Sequence, residues 1–260
     1  MMPTRNLGKT GFRVGIVGLG GQGALEKANN ESLALQMIRR ALELGVNYFD
    51  TSAIYGGPDR WSERYLGKGP QKIPGKVLCA YYDLGGEGVA YHDTDPTNHG
   101  SGELNPSDGT YLNVFRIHEG VDTSYTKFNR KPDPIDDNPF DKIVPPADLL
   151  YVGWTEPGEW FNVTVDVAQS GTYAADFLYT SNRGGKISLD VNGKYATGAL
   201  PITTTNDPAD PLAWRQWHHW NLASQLFKVR LSKGTNVLTV HIVTNGNMNL
   251  AYFDFKPEDR

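Results

Sequence analysis

The chain has 260 residues, of which 39% are hydrophobic and 21% charged, so it is neither disordered nor collagen-like and can bury a core. It contains no apolar run of about 20 residues, which argues against a membrane partner. The net charge of −4 divides into +5 over residues 1–78 and −9 over residues 79–260, and the acidic part carries no basic stripe for nucleic acid. Residues 1–20 lack the pattern of a secretion signal, and localisation is left open.

The first segment, residues 1–78, alternates strand and helix signals. A β-branched run at 13–19 precedes residues 33–44, in which apolar side chains recur at helical spacing. A second strand is predicted at 46–50, a second helix at 62–68 and a third strand at 76–80. This βαβαβ order predicts a parallel sheet.

Four sequence blocks in this segment occur in the order typical of one enzyme family. They are Arg5-Asn6-Leu7-Gly8-Lys9-Thr10-Gly11, Gly18-Leu19-Gly20-Gly21, Phe49-Asp50-Thr51-Ser52-Ala53-Ile54-Tyr55-Gly56 and Ser62-Glu63-Arg64-Tyr65-Leu66-Gly67. They resemble the N-terminal quarter of an aldo-keto reductase, which implies a (β/α)8 barrel, NADP(H) and an Asp-Tyr-Lys-His tetrad. Asp50 and Tyr55 fall on the family's Asp and Tyr. Tyr82 occupies the Lys position, and the His strand and the phosphate-binding strands are absent, so we expect a truncated, inert remnant that does not bind NADP and has no catalytic residues.

The second segment, residues 79–260, changes to strand periodicity. Apolar side chains alternate with polar ones over 161–167, 173–179, 187–191, 227–231, 238–242 and 248–252. Asn192-Gly193 is a strong signal for a tight hairpin turn. The pattern predicts a mainly β fold, an antiparallel, jelly-roll-like β-sandwich, with a proline-rich surface loop at 128–148.

Three tryptophans repeat at a W-x-x-W spacing: Trp214, Trp217 and Trp220. On an extended strand, Trp217 would face away from the other two. One interpretation is that they belong to the core, where tryptophan is common in sandwiches. The other is that one indole stacks on the apolar face of a sugar ring, whose hydroxyl groups then need amide or carboxylate partners.

Further blocks in the second segment match a second family. They include Tyr82-Asp83-Leu84-Gly85-Gly86-Glu87-Gly88, Val152-Gly153-Trp154-Thr155-Glu156-Pro157-Gly158-Glu159-Trp160, Trp217-His218-His219-Trp220 and Asn249-Leu250-Ala251-Tyr252-Phe253. Nearly all of residues 80–255 resembles a family 6 carbohydrate-binding module or a close relative. The resemblance implies noncatalytic binding of an oligosaccharide or polysaccharide at a cleft between loops, by a protein that is usually extracellular. Carried over, the site residues are Trp217, with Trp214 as the alternate register, Phe115, Glu87 and Asn249.

The same resemblance implies a structural calcium ion, but its usual carboxylate positions hold Ala80 and Ala251 here, and we expect no metal. Two other interpretations stay open at this point, an NADP-dependent reductase and a purely structural sandwich. The apolar faces of a three-strand fragment also need cover, so self-association through residues 1–78 is a further expectation.

Overall fold

The structure, a computed structural model, describes seven parts of the chain, residues 3–9, 13–27, 30–52, 70–100, 115–116, 119–128 and 133–258. The chain forms two compact units, Met1–Gly69 and Pro70–Arg260. In the described parts, no helix is long and apolar enough to cross a membrane.

The first unit contains short elements. Its described elements are β1 (Thr4–Asn6), β2 (Arg13–Gly15), β3 (Leu19–Gly20), α1 (Glu31–Glu43) and β4 (Phe49–Asp50). Strands β1 and β2 pair antiparallel, whereas β3 and β4 pair parallel, as the predicted βαβ order requires. Helix α1 packs Ala34 against Leu25 and ends before Gly45, whose φ of 85° favours glycine. The helix expected at 62–68 lies outside the described residues.

The second unit is built from strands. They are β5 (Gln71–Ile73), β6 (Gly75–Leu78), β7 (Tyr91–His92), β8 (Thr123–Tyr125), β9 (Leu150–Val152), β10 (Trp160–Val167), β11 (Gly171–Ser181), β12 (Gly185–Val191), β13 (Lys194–Tyr195), β14 (Leu200–Ile202), β15 (Asn221–Leu231), β16 (Gly234–Thr244) and β17 (Met248–Pro257). One sheet has the order β13-β12-β16-β10-β5, with β14 on β12 and β7 on β10. The other has the order β15-β11-β17-β9-β8, with β6 on β17. The predicted β-sandwich is therefore confirmed, with the core between two mainly antiparallel sheets.

Strand β10 shows how the sequence pattern makes this core. Its odd-numbered residues, Phe161, Val163, Val165 and Val167, are buried, and the polar residues between them lie on the other face. Full burial of such side chains contributes about 1.5–3 kcal/mol each. The predicted turn after β12 is also confirmed, since Asn192 and Gly193 have φ angles of 52° and 70°.

Strands β5 and β6 belong to the sandwich, although the sequence pattern placed them in the first segment. Strand β5 pairs parallel with β10, and β6 pairs antiparallel with β17. Ile73 and Val77 are each 1% exposed in the sandwich core. Residues 76–80 are predicted both as a third parallel strand and as the first strand of the second segment. The second prediction is confirmed for Gly75–Leu78 and the first is wrong, because the long β17 offers this segment an antiparallel partner. Along the chain, the first compact unit ends at Gly69 and the second begins at Pro70.

A second apolar cluster covers the outer face of the β11–β17 sheet. Tyr151, Leu178 and Trp220 are buried there, and Ile143 and Leu149 pack on them. Ile143 comes from the predicted proline-rich loop at 128–148, and Leu149 follows it directly. This loop thus forms a cover over the sheet rather than a linker.

Candidate functional site

Connections between the long strands meet at one end of the sandwich. Ser181, which ends β11, pairs with Met248, which begins β17, and Trp160 at the start of β10 pairs with His241 of β16. Thr155, in the connection from β9 to β10, is bound to the start of β17, because its hydroxyl donates to the carbonyl of Met248 and accepts from the amide of the same residue. We call this end, with the described loop residues 93–100, 115–116, 119–122, 153–159, 182–184, 203–220 and 245–247, the loop end.

The W-x-x-W segment lies in the 203–220 loop and not on a strand. The amide of Arg215 donates to the Leu212 carbonyl, which marks a tight turn. The expectation of alternating faces is therefore wrong. Trp214 is 54% exposed, Trp217 is half-buried and Trp220 is completely buried.

Trp217 is fixed to the end of β11. Its carbonyl accepts a hydrogen bond from the Thr205 hydroxyl, and the Thr205 amide donates to the Ser181 carbonyl at 2.8 Å. Its indole stacks on the His218 ring with 5.5 Å between centroids and an interplanar angle of 12°. The stacked His218 ring and the backbone hydrogen bond therefore hold the half-buried Trp217 in place.

Trp220 anchors the same loop. Its indole Nε1 donates to Asp136 Oδ1 at 2.7 Å, and its backbone amide donates to Asp141 at 2.8 Å. Asp136 is completely buried; burial alone would raise its pKa, but nearby His218 and its hydrogen bonds lower the pKa below the usual range. This tryptophan therefore has a structural role.

Asn249 lies beneath the loop end on β17. It is 2% exposed, and its Nδ2 donates to the Thr180 hydroxyl at 2.9 Å across to β11. A Cβ at residue 153 would lie 2.8 Å from Asn249 Oδ1, so the close approach of the β9–β10 loop requires Gly153. Asn249 as a ligand-binding residue stays a prediction, and the sequence gives no sign that the sheet already uses its amide.

Phe115 is attached to β8 at the loop end. The Thr123 hydroxyl donates to its carbonyl at 3.2 Å, and its ring meets Tyr81 edge-on at 5.5 Å. The next residue, Arg116, lies 3.3 Å over the Tyr82 ring and pairs with Glu119 at 2.6 Å. The buried arginine therefore holds the Phe115 backbone.

Glu87 stands apart from the other predicted residues. One carboxylate oxygen lies 2.5 Å from His92 Nδ1 and the other accepts from the Asp93 amide at 3.0 Å. Asp93 packs close to Gly120, and the Asp122 carbonyl accepts from Gly153 at 2.9 Å. Glu87 thus lies at the same end as Asn249 but is separated from it by two loops.

Several carboxylates around Glu87 are partly buried. Burial raises the pKa of Asp93 to about 7, and the neighbouring Glu159 and Asp122 add to the shift. Burial also raises the pKa of Asp122 to about 6 and raises the pKa of Glu159. Asp122 and Glu159 come from loops far from Asp93 in the chain, so no spacing in the sequence connects the three carboxylates. In the parts of the chain that the structure covers, no His, Cys, Asp and Glu group is arranged to hold a metal ion.

The two positions where the resemblance implies calcium-binding carboxylates, Ala80 and Ala251, lie in separate apolar clusters. Ala80 packs with Tyr125 and Leu150, and Ala251 packs with Trp220. Methyl groups in these places cannot bind a hard cation. That the sandwich needs no calcium stays a prediction.

Of the residues carried over from the reductase resemblance, Asp50 lies at the end of β4, where its carbonyl accepts from the Gly21 amide at 2.6 Å. Tyr55 lies outside the described residues. Tyr82, in the position of the family's lysine, is 2% exposed in the core of the sandwich. Burial raises its pKa, so it stays a neutral phenol.

Trp154 is a further aromatic residue at the loop end that the site prediction missed. It follows Gly153, is half-buried and has a φ of 48°, in a region that non-glycine residues rarely adopt. A Cβ at Gly100 would lie 3.0 Å from its ring. The Val152–Trp160 block contains this residue, but nothing in its pattern separates a ligand contact from a packing contact.

Comparison with protein families connects the first part of the chain to enzymes. A family model described as the aldo/keto reductase family matches residues 14–98. L-galactose dehydrogenase from Arabidopsis thaliana is 45% identical over 67 residues, which make up 25% of this chain and 20% of that protein. The chain spans about a fifth of the length of this curated relative.

Comparison with solved structures gives carbohydrate-binding modules. CsCBM6-3 from Clostridium stercorarium, in complex with cellobiose, has a TM-score of 0.43 at 9% identity and covers 74% of this chain and 100% of its own. A family 35 module from Clostridium thermocellum has a TM-score of 0.33 at 24% identity, with 40% and 75% covered. CBM6cm-2 from Cellvibrio mixtus lichenase 5A, in complex with cellotriose, has a TM-score of 0.33 at 20% identity. The match covers 42% of this chain and 79% of that module. The chain is thus similar to aldo/keto reductases over residues 14–98 and, among solved structures, to carbohydrate-binding modules, at TM-scores too low to say what it binds.

Proposed function

We propose that the β-sandwich binds an oligosaccharide or polysaccharide at the loop end, without chemistry. The observation that supports this most is the 54% exposed indole of Trp214, three residues before the half-buried Trp217 on a loop that Trp220 anchors. An aromatic ring held in water by an ordered loop loses the stabilisation that burial would give it. A sugar ring offers an apolar face for such an indole.

In this proposal each predicted residue has a distinct role. Trp217 supplies the main stacking surface and Trp214 a second one, while Phe115 limits the site on the side of β8. Glu87, which is exposed, takes a hydroxyl of a sugar unit farther along the glycan. Asn249 is 2% exposed and one N–H of its amide already bonds Thr180, so a hydroxyl reaches it only at the floor of the site, through the other N–H or the carbonyl oxygen.

The expected affinity is weak. Each sugar hydroxyl exchanges a bond to water for a bond to protein, and the net gain per bond is only about 1 kcal/mol. Dissociation constants on the order of 10 μM to 1 mM, or ~4–7 kcal/mol, follow.

An NADP-dependent reductase is the second candidate, favoured by the family match over residues 14–98. This chemistry needs a cation beside the acidic tyrosine to lower a phenol pKa of about 10. Tyr82 holds the lysine position, with the buried Arg116 guanidinium over its ring. We propose that the first unit is inert. Incubation of the chain with NADPH and a panel of aldehydes is expected to oxidise no cofactor, and turnover that disappears in Tyr55→Phe would contradict this.

A glycan array probed with the intact chain tests the main proposal. Binding to one glycan class, lost in Trp217→Ala, is the expected result. Tyr195→Ala is the matched control, because Tyr195 is 67% exposed on the β12–β13 hairpin at the other end of the sandwich. If no glycan binds, the sandwich has a purely structural role.

A further inference from the structure

The loop that carries Trp214 and Trp217 contains a cluster of buried ionisable side chains. Residues 203–220 join β14 to β15 without forming a helix or a strand. Within this loop, Asp210, Arg215 and His219 are 0%, 4% and 2% exposed. Charged groups are rarely buried so completely unless they are paired.

Asp210 is the centre of this cluster. Its carboxylate accepts from Arg215 Nε at 2.6 Å and from Arg215 Nη2 at 2.9 Å, a two-point contact that fixes direction as well as distance. His219 Nε2 lies 2.9 Å from the same carboxylate, and the Leu212 amide donates to it at 3.0 Å. Burial alone would raise the pKa of Asp210, but the Arg215 hydrogen bond and the other donors hold it at about 2.

The cluster is also tied to the cover loop of the outer sheet face. Arg215 Nη1 donates to the Pro134 carbonyl, and the Phe140 ring stacks on His219 with 5.3 Å between centroids. The Asp207 amide donates to the Gln216 carbonyl at 2.7 Å. The backbone from 207 to 219 is therefore held at several points.

Along the chain, both tryptophans lie between members of this cluster. Trp214 lies between Asp210 and Arg215, and Trp217 lies between Arg215 and His219. A buried ion pair often adds little free energy of unfolding compared with apolar residues of similar size, but its geometry is specific. A rigid presentation of the rings also lowers the entropy lost on binding.

We infer that Asp210, Arg215 and His219 are positioning residues that hold Trp214 and Trp217 ready to stack on a sugar. This inference rests on the proposed function. The buried residues touch no ligand themselves. They act by fixing the backbone between them.

Two substitutions test this inference in the full chain. Asp210→Asn removes the charge at constant shape, and Arg215→Lys keeps the charge but loses the two-point contact. Asp176→Asn is the matched control, since Asp176 is 8% exposed, pairs with Lys256 at 2.6 Å and lies on β11 away from the loop end. Each protein is titrated with the best glycan from the array, well below its own melting temperature.

Both test variants should fold, bind the glycan about tenfold more weakly and exchange amide hydrogens faster at residues 205–219 while the long strands keep their protection. Arg215→Lys should change affinity less than about twofold in a Trp217→Ala background, because the main stacking ring that it positions is gone. Asp176→Asn should lower the melting temperature without changing affinity.

Three results would overturn the inference: unchanged affinity and loop exchange in Arg215→Lys, an equal loss of affinity in Asp176→Asn, or failure of both test variants to fold. If the wild-type chain binds no glycan, the proposed function fails by itself. Hydrogen exchange then decides the inference, and unchanged protection at 205–219 in Arg215→Lys contradicts it.

Discussion

The described apolar side chains of the two units differ strongly in how completely they are buried. The described strands of the first unit have two or three residues, and Ile16, Leu33 and Leu44 are 58%, 51% and 52% exposed. In its described residues, the sandwich has strands of up to eleven residues and thirty buried residues in its main core. A short parallel strand pair with one helix depends on further elements to cover its faces, whereas the two sheets of a sandwich cover each other.

The comparison also shows that a boundary of sequence similarity need not be a boundary of folding. The aldo/keto reductase match runs from residue 14 to residue 98, across the division at Gly69–Pro70. Strands β5 and β6 lie within that match but complete the two sheets of the sandwich. Folding follows the partner strands that the chain provides.

The largest effect is expected from moving this boundary. A shortened protein of residues 70–260 should unfold cooperatively with nearly the melting temperature of the full chain. A protein of residues 79–260 should lose more than about 3 kcal/mol of unfolding free energy or fail to fold, because Ile73 and Val77 leave the core. Urea unfolding of both proteins measures this, and equal stability would place the folding boundary at residue 79.

Single substitutions should separate the two units next. Trp220→Ala removes a completely buried indole and its bond to Asp136, and should cost about 3–5 kcal/mol in unfolding free energy of the sandwich. Leu33→Ser, on the exposed face of α1, should change stability by less than about 0.5 kcal/mol. A large loss from Leu33→Ser at high protein concentration only would instead reveal self-association through the first unit.

A smaller effect is expected from pH. The pKa values of Asp93, Asp122 and Asp141 are raised to about 7, 6 and 7, mainly by burial. The folded sandwich therefore binds more protons than the unfolded chain between about pH 4 and pH 7, and its stability should fall as pH rises through that window. Asp210, with its lowered pKa of about 2, stabilises fully above about pH 4 and does not oppose this trend.

Thermal melts from pH 4.5 to pH 8 check the direction of the trend. Asp93→Asn should flatten it, because the neutral amide no longer loses a proton. Asp95→Asn is the control, since the pKa of Asp95 is lowered by hydrogen bonds from His99 and Thr97. A stability that rises with pH over this window would contradict the assignment.

No effect is expected from calcium. Ala80 and Ala251 provide no oxygen side chains, so melts with millimolar calcium and with excess chelator should coincide. An ion bound only to the folded state would raise the melting temperature. If calcium raised the melting temperature of the wild type but not of Asp93→Asn, the ion would lie among the carboxylates with raised pKa values.

Local patterns in the sequence sufficed for the sandwich because they report local chemistry. The alternation in β10 and the Asn192-Gly193 turn follow from side-chain period and backbone preference, and both are confirmed. The tryptophan segment was misassigned to a strand because its shape depends on the distant partners Asp136 and Pro134. Contacts between residues about eighty positions apart leave no spacing to recognise.

The most direct test of the central claim is calorimetric titration of the intact chain with the glycan class that the array selects. The account predicts a dissociation constant on the order of 10 μM to 1 mM for the wild type. Trp217→Ala should remove most of that affinity with the fold intact, and Tyr195→Ala should leave it unchanged. Equal binding by Trp217→Ala and the wild type would contradict the claim, as would unfolding of Trp217→Ala at 25 °C.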